Sequence, residues 1–264
     1  MPVALTVCLL TFNSERLLEA CVQALLPLAD EWVVVDSGST DGTLDILRRF
    51  GITPVQRAYK SHSDQMNFAA SLATHDWVLC MDSDEIIDEA TRQGVQALKD
   101  GGLADPTRAW RISRHWVVLG QEVHAIYPVS SPDYPVRMFH RRHARFNDAP
   151  VDDKVEGFAS TEVIRGRVHH DTFYSVHEVF QKVNTYTTRA VKYRQFSPSL
   201  AKALLSPWAA LGKWYLLKGG WKDGRVGVVG GAYAFLYTFL KYFKAWYAMR
   251  EAKAGEGLHR SPLR

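Results

Sequence analysis

Apolar and polar residues follow one another in regular blocks over the first part of the chain. An apolar run at Val3–Leu10 leads into a polar segment and then into apolar residues at helical spacing from Leu17 to Leu26. The same order recurs from Glu31 to Phe50 and again from Ile52 to Ala73. These repeated strand and helix patterns predict a mostly parallel, doubly wound α/β sheet with right-handed crossovers.

The fourth apolar run ends in a cluster of acids. Trp77–Met81 is apolar throughout, as in a strand buried on both faces, and Asp82-Ser83-Asp84-Glu85 follows it directly. Ligands of open α/β sheets bind at the carboxyl ends of the strands, so Asp82 and Asp84 at this point predict a site for a divalent cation. The alternative is a turn that caps the next helix.

The pattern changes in the second half of the chain. Short strand-like runs at Ala109–Ser113 and Tyr134–Phe139 predict that the sheet becomes mixed. After Ser175 the pattern is helical as far as Met249. We therefore expect a boundary near residue 170, with an α/β domain at 1–170 and a helical C-terminal extension at 171–264 that binds a membrane surface or mediates oligomerisation.

The last predicted helix is unusually apolar. Val226–Leu240 has almost no polar interruption, but it is shorter than the roughly 20 residues needed to cross a bilayer. Aromatic residues and lysines are interleaved along this region, as at a bilayer surface, where rings lie at headgroup depth and lysines meet anionic lipid. We expect an interfacial helix; the alternative is packing against the sheet or against a second subunit in a homo-oligomer.

Composition narrows the range of partners. Of 264 residues, 47% are hydrophobic and the formal net charge is +4, which is ordinary for a globular protein and too small a charge to indicate nucleic-acid binding. Cys8, Cys21 and Cys80 lie in apolar segments without zinc-type spacing, which indicates reduced thiols and a reducing compartment. Because the N-terminus lacks a basic leader and a small-residue cleavage site, we expect no signal peptide.

The loops after the first two predicted strands carry hydroxyl and acidic side chains in place of glycines. Thr11-Phe12-Asn13-Ser14 has no glycine, so the Gly-x-Gly-x-x-Gly of a Rossmann dinucleotide site is absent, as is a Walker phosphate loop. Asp36 and Asp41 follow the second strand, and the fold would bring them into one crevice with Asp82 and Asp84. This combination indicates a nucleotide held through carboxylates and a metal.

Together these motifs resemble the family-2 glycosyltransferases of the GT-A fold. The resemblance rests on four segments, which are Leu9–Asn13, Val35–Thr43, Gln65 with Asn67, and Asp76–Glu85. The later segments Pro132–Phe139, His170 and Lys218-Gly219-Gly220 are similar to the branch that builds the inner core of bacterial lipopolysaccharide, the heptose-modifying β-glucosyltransferases. The resemblance implies a GT-A fold: a mixed, mostly parallel sheet with helices on both faces, followed by a helical C-terminal extension.

The resemblance also implies roles for individual residues. Those implied to bind the nucleotide sugar are Thr11, Asn13, Asp36, Ser39, Asp41, Gln65, Asn67, Asp82 and Arg137. Among these, Asp36 would accept the imide N–H of uracil, and Arg137 would hold phosphate through its planar guanidinium. The Asp-x-Asp motif would bind Mg²⁺ or Mn²⁺ through Asp84 and Asp82, with His170 as a third ligand. A packing role for His170 is the alternative.

The candidate general base lies where this chain departs from that branch. The branch places an acid after a valine-histidine pair, whereas this chain has Val151-Asp152-Asp153. An inverting transferase needs a carboxylate to take the proton of the acceptor hydroxyl. We predict Asp153 for this role with Asp152 as the substitute, and the alternative is a solvated acidic turn.

The resemblance therefore implies a metal-dependent inverting hexosyltransferase. Its donor would be a nucleotide sugar, UDP-glucose by analogy with the branch, and its acceptor a lipid-linked saccharide such as lipopolysaccharide inner-core heptose. The expected location is cytoplasmic, peripheral on the inner face of the bacterial inner membrane. Two alternatives are a polyprenyl-phosphate glycosyltransferase and a nucleotide-sugar-binding protein without turnover.

Overall fold

A computed structural model describes residues 2–149, 152–194, 196 and 199–255, with side chains as far as Glu251. The chain forms two compact units. The first consists of Met1–His115 and Pro132–Asp171, and the second of Trp116–Ser131 and Thr172–Arg264. The second unit thus includes 116–131, a segment that the division at residue 170 assigns to the α/β domain.

The structure contains both strands and helices in the order that the sequence pattern indicates. The strands are β1 (Leu5–Thr11), β2 (Glu31–Asp36), β3 (Val55–Gln56), β4 (Trp77–Asp82), β5 (Glu85–Ile87), β6 (Arg108–Arg111), β7 (Arg114–Val118), β8 (Gln121–Glu122), β9 (Ala125–Ile126), β10 (Val129–Ser130), β11 (Val136–His140), β12 (Arg145–Phe146), β13 (Val155–Glu156), β14 (Ser160–Val163) and β15 (Val168–Phe173). The α-helices are α1 (Leu18–Leu25), α2 (Thr43–Arg49), α3 (His62–Leu72), α4 (Glu89–Ala97), α5 (Val176–Tyr193), α6 (Leu200–Leu211) and α7 (Gly224–Gly255). Leu98–Gly102 and Gly212–Leu217 are π-helical, and Gly220–Asp223 is a 3₁₀ turn.

The first unit is built on a seven-stranded sheet in the order β14-β6-β11-β4-β1-β2-β3. Strands β4, β1, β2 and β3 are parallel, whereas β11 runs antiparallel to both β4 and β6. The predicted α/β class, with a parallel sheet that becomes mixed in the second half of the chain, is confirmed. The sheet reverses direction at β11 because the chain no longer crosses over through a helix after β6.

Helices cover both faces of this sheet. Along β4, Trp77, Leu79 and Met81 join a buried cluster with apolar residues of α1, α2 and α4, while Val78 and Cys80 join a second cluster with residues of α3. Alternate residues of a strand point to opposite faces, so a fully apolar β4 requires cover on both sides.

The strand register brings the predicted acids to one edge of the sheet. In the parallel pairings Leu10 is opposite Asp82, and Thr11 is opposite Asp36. Because neighbouring strands lie about 4.8 Å apart, Asp36 and Asp82 flank the end of β1 at a backbone separation of about 10 Å. The predicted convergence of the acidic loops at the carboxyl ends of the strands is therefore present.

A small antiparallel pairing adds one more residue to that edge. After the acidic loop the chain forms β5, which pairs with β15 so that Glu85 is opposite His170. Helix α4 starts only at Glu89, where the side chain of Asp88 accepts a hydrogen bond from the backbone N–H of Thr91 at 2.7 Å. The acidic loop is thus followed by a strand, and Asp82 and Asp84 do not cap a helix.

The second unit is mainly helical. Its buried cluster includes Val179 and Val183 from α5 and Val226 and Tyr233 from α7. Helix α7 with its preceding turn, Gly220–Glu251, is long and apolar enough to cross a membrane by length and composition. Part of it is nevertheless buried within the unit, as the side chains of Tyr233 and Ala234 show.

Candidate active site

The loop after β2 is organised around a buried carboxylate. Asp36 is fully buried and accepts four hydrogen bonds, from the Thr11 hydroxyl (2.8 Å), the Gly38 N–H (3.0 Å), the Ser39 N–H (2.8 Å) and the Ser39 hydroxyl (2.5 Å). Although burial alone would raise it, these donors hold the pKa of Asp36 below its ordinary value. Asp36 therefore shapes the loop, and its predicted contact with uracil, which stays a prediction, requires the release of one of these donors.

Side-chain hydrogen bonds join the loops after β1, β2 and β4. Asn13 accepts the N–H of Thr40 at 2.9 Å, and its own N–H donates to the Ser39 hydroxyl at 2.9 Å. The hydroxyls of Ser14 and Ser83 lie 2.7 Å apart. Asn13 has a left-handed backbone conformation, with φ 48°, which asparagine tolerates better than most residues. The three loops thus form one polar rim at the edge of the sheet.

Asp41 and the residues of α3 complete this rim. Asp41 accepts the N–H groups of Thr43 (3.0 Å) and Glu15 (3.2 Å) and so orders the start of α2. Gln65 is fully buried and donates to the Ser37 hydroxyl at 3.0 Å.

Asn67, also on α3, contacts a different part of the sheet region, strand β12. Its amide donates to the carbonyl of Phe146 at 2.8 Å and accepts the Phe146 N–H at 2.9 Å. In this structure Asn67 ties α3 to β12, and its predicted role in a base or ribose pocket stays a prediction.

A histidine joins the predicted donor side to the predicted base. His62 Nε2 lies 2.9 Å from Asp82 Oδ1, and His62 Nδ1 lies 2.7 Å from Asp153 Oδ2. The imidazole also packs edge-on against Phe146, with ring centroids 5.7 Å apart. Asp82 ends β4 and Asp153 lies in the loop between β12 and β13, so His62 fixes the position of one loop against the other.

The charges in this chain of contacts stabilise one another. Burial opposes a charged imidazole, but the charge of Asp82 and the hydrogen bonds to both carboxylates outweigh it and raise the pKa of His62 to about 10. Burial alone would raise the pKa of Asp153, but the hydrogen bond from His62 and its charge lower that pKa below the ordinary value. The site therefore holds an imidazolium between two carboxylates at neutral pH.

Arg137 lies beneath this pair of loops. Its guanidinium is buried and contacts Asp82 Oδ2 at 2.7 Å and Glu85 Oε1 at 2.5 Å. Glu85 is fully buried and also pairs with Arg114 at 2.8 Å, which in turn pairs with Asp133 at 2.6 Å. Arg137 thus neutralises buried acids under the site, and its predicted contact with phosphate stays a prediction.

Asp84 and His170 form the part of the site that suits a divalent cation. His170 Nε2 lies 3.3 Å from Asp84 Oδ2, and the Asp84 side chain is 33% exposed, so it faces the open edge of the sheet. A carboxylate and an imidazole are both ligands for Mn²⁺, and the carboxylate is a ligand for Mg²⁺. Asp82 fits less well, because its two oxygens are bound to His62 and Arg137. Among the described residues no group of three or more His, Cys, Asp or Glu is arranged as a metal site.

Comparison with a protein-family model identifies the family to which this chain belongs. The model of glycosyl transferase family 2 matches residues 6–145, which is more than half of the chain. The chain belongs to glycosyl transferase family 2. The match covers the loops after β1, β2 and β4, all of α3, and β11 with Arg137.

Curated relatives extend the similarity beyond that range. The lipopolysaccharide core biosynthesis glycosyltransferase LpsC of Rhizobium meliloti is 26% identical over 258 residues, which cover 92% of this family-2 chain and 91% of LpsC. The uncharacterized glycosyltransferase RT0209 of Rickettsia typhi is 23% identical over 194 residues, or 70% of this chain. The matched region spans 65% of the length of RT0209.

Solved structures with a similar fold have lower sequence identity to this chain than the curated relatives have. S. aureus TarS 1-349 has a TM-score of 0.46 at 16% identity, covering 95% of this chain and 92% of that one. Glucosyl-3-phosphoglycerate synthase from Mycobacterium tuberculosis, in complex with Mn²⁺, uridine-diphosphate and phosphoglyceric acid, has a TM-score of 0.48 at 18% identity, covering 74% and 80%.

One residue of this family-2 site, His62, is absent from the predicted set. His62 was missed because its partners lie 20 and 91 residues away, and a histidine in the first turn of a helix gives no periodic signal. Asp152, the predicted substitute base, is exposed with φ 59°, whereas Asp153 is the acid that contacts His62. Val151 of the same motif lies outside the described residues.

Proposed function

We propose that this chain is an inverting glycosyltransferase that transfers a sugar from a UDP-sugar to a lipid-linked saccharide. The observation that carries the proposal is the chain of contacts from Asp82 through His62 to Asp153 at the carboxyl end of β4. Asp153 would be the base, and the loop that follows Asp82 carries Asp84, whose carboxylate faces His170 of β15. Family membership supplies the reaction class.

The donor would bind along the polar rim. Thr11, Asn13 and the Asp36–Thr43 loop offer hydroxyl, amide and carboxylate groups for a nucleoside, while Asp84 and His170 would hold Mg²⁺ or Mn²⁺ next to the diphosphate. When bound, such an ion offsets the negative charge that develops on the leaving diphosphate. Asp82 and Arg137, which hold each other, would keep the loop between β4 and β5 in place under the donor.

Asp153 would take the proton of the acceptor hydroxyl. His62 engages Oδ2 of this carboxylate, and Oδ1 would accept the proton of the hydroxyl. Burial acts to raise the pKa of this carboxyl group, but the hydrogen bond and charge of His62 hold it below its ordinary value, so Asp153 stays ionised at neutral pH, the form that a base requires. As the acceptor oxygen bonds to the anomeric carbon, the bond from that carbon to the diphosphate oxygen breaks and the proton passes to Asp153.

The acceptor proposal rests on the relative that matches over nearly its whole length. LpsC carries a name that refers to lipopolysaccharide core biosynthesis, and the match includes the C-terminal part of this chain. We take the acceptor to be a lipid-linked core saccharide such as inner-core heptose, and the sugar to be glucose. Such an acceptor places the enzyme at the cytoplasmic face of the inner membrane.

One experiment tests donor and acceptor together. The purified chain is screened for thermal stabilisation by UDP-glucose, UDP-galactose, UDP-N-acetylglucosamine and ADP-heptose, with and without Mn²⁺, because a ligand of the native state raises its melting temperature. The stabilising donor is then supplied with truncated lipopolysaccharide or with polyprenyl phosphate. Transfer of glucose to lipopolysaccharide is expected; transfer to polyprenyl phosphate alone would change the acceptor, and UDP binding without any turnover would indicate a nucleotide-sugar-binding protein.

A further inference from the structure

Among the described residues of the second unit, the four most exposed large apolar side chains, Leu217, Leu205, Trp208 and Leu216, lie on one stretch of helix and turn. It runs from α6 through the π-helical Gly212–Leu217 to the turn at Gly220–Asp223. The exposed residues, which we call the α6 surface, are Leu204, Leu205, Trp208, Leu216, Leu217 and Trp221. Leu205 is 70% exposed and Leu217 is 84% exposed. Contiguous exposed apolar side chains mark a site that binds another protein or a membrane.

The opposite side of the same segment is buried. Ala203, Pro207, Ala210 and Trp214 recur at helical spacing and pack inward. The α6 surface is therefore the outer face of an anchored helix, and its leucines and tryptophans are not core residues. Helix α7, the helix that the sequence predicts to be interfacial, has buried positions along much of its length, including Tyr233, Ala234 and Thr238.

The exposed charges carried by the α6 segment itself have one sign. Lys202, Lys213, Lys218 and Lys222 accompany the apolar residues. Asp223 is the sole acidic residue of the sequence between Glu178 and Glu251, and its side chain is buried against His124, 2.5 Å from the imidazole. Lysines around exposed leucines and tryptophans suit a surface that is apolar inside and anionic outside, which describes a bilayer with anionic headgroups.

We propose that the α6 surface is the docking face for an anionic lipid bilayer. Leu205, Leu217 and their neighbours enter the headgroup and acyl boundary, the two tryptophan rings lie at headgroup depth, and the lysines contact lipid phosphates. This docking face rests on the proposed function, because docking would bring the enzyme to an acceptor that is anchored in lipid.

Sedimentation of the full chain with lipid vesicles tests the docking face without any substrate. Vesicles of phosphatidylcholine with phosphatidylglycerol are compared with vesicles of phosphatidylcholine alone. We expect the chain to bind the anionic vesicles and L205E/L217E to bind them about tenfold or more weakly, since each change removes an inserting group and adds a negative charge. V163E is the matched control, because Val163 is also exposed but lies on β14 of the first unit.

The lysines are tested separately. K202Q/K213Q/K222Q should weaken binding to anionic vesicles and make the remaining binding less sensitive to salt than that of the wild-type chain. Equal binding of the wild-type chain to both kinds of vesicle would overturn the choice of anionic lipid. Unaltered melting temperatures confirm that the variants fold, as their substituted side chains are exposed.

Three results would overturn the docking proposal itself. The first is a wild-type chain that does not sediment with vesicles, and the second is an L205E/L217E variant that binds them as well as wild type does. The third is a dimer, seen by light scattering without lipid, that L205E/L217E dissociates, because the α6 surface would then mediate self-association. Vesicle binding without glycosyl transfer would instead leave the docking face standing and refute the proposed function.

Discussion

His62 Nδ1 lies 2.7 Å from Asp153 Oδ2, across 91 residues of sequence. The other nitrogen of the same ring holds Asp82, so both carboxylates are fixed by a single side chain at the start of α3. Ser61 anchors that helix start, where its hydroxyl accepts the N–H of Asp64 at 3.1 Å. The position of the candidate base is therefore set by α3 and not by its own loop alone.

Substitution of the candidate base tests its role directly. Asp153→Asn keeps the size of the side chain but removes the proton acceptor, so turnover should fall by about 10²–10⁴-fold while donor affinity is retained. Initial rates and donor titration calorimetry measure the two effects. Asp152→Asn is the matched control, since Asp152 is exposed, and near-normal turnover of Asp153→Asn with loss in Asp152→Asn would exchange their roles.

His62 should act through Asp153. His62→Gln removes the imidazolium, and we expect about a 10–100-fold loss of turnover, as for other residues that orient a reacting group. Because both changes disable the same base, the H62Q/D153N double variant should lose clearly less turnover than the two single effects added together. Additive losses would show that His62 has a separate function. His177→Gln, an exposed histidine of α5, serves as the control.

The parts of this site that the sequence predicts are those with local signals. The apolar run Trp77–Met81 and the acids after it predict both a buried central strand and the edge at which ligands bind. The contacts of His62, Arg137 and Asn67 depend on which distant strands become neighbours, and no spacing in the sequence reveals that. The sequence also predicts that Asp36 lies at the end of the second strand. It does not reveal the four hydrogen bonds that the Asp36 carboxylate accepts from Thr11, Gly38 and Ser39.

Asp84 should link donor binding to the metal. Asp84→Ala removes the carboxylate that faces His170, so the gain in UDP-sugar affinity on adding Mg²⁺ or Mn²⁺ should disappear, while the weak affinity measured with a chelator stays the same. Calorimetry with and without the metal measures both. Asp45→Ala is the control, because Asp45 is an exposed acid of α2. An unchanged metal effect in Asp84→Ala would move the cation to other ligands.

Asp36 should make stability depend on acid pH. Its pKa is lower in the folded chain than the ordinary 3.8, so its contribution to the free energy of unfolding is fully present above about pH 4 and is lost as the pH falls through the folded pKa. Urea unfolding of wild type and Asp36→Asn should show a constant difference from about pH 7 to 5 that narrows below about pH 4. A difference that stays constant down to pH 3 would contradict the proposed role of the loop hydrogen bonds.

The close approach of α7 to the preceding turn can be tested with a pair of glycines. A Cβ at Gly227 would overlap the carbonyl oxygen of Gly220, whereas a Cβ at Gly230 would meet nothing nearer than Ile126 at 3.7 Å. Gly227→Ala should therefore lower the free energy of unfolding by about 1–3 kcal/mol, and Gly230→Ala should raise it by up to about 1 kcal/mol through helix propensity. Urea titration followed by circular dichroism measures both. Equal effects of the two substitutions would mean that the turn at Gly220 moves freely and does not hold the α6 surface in place.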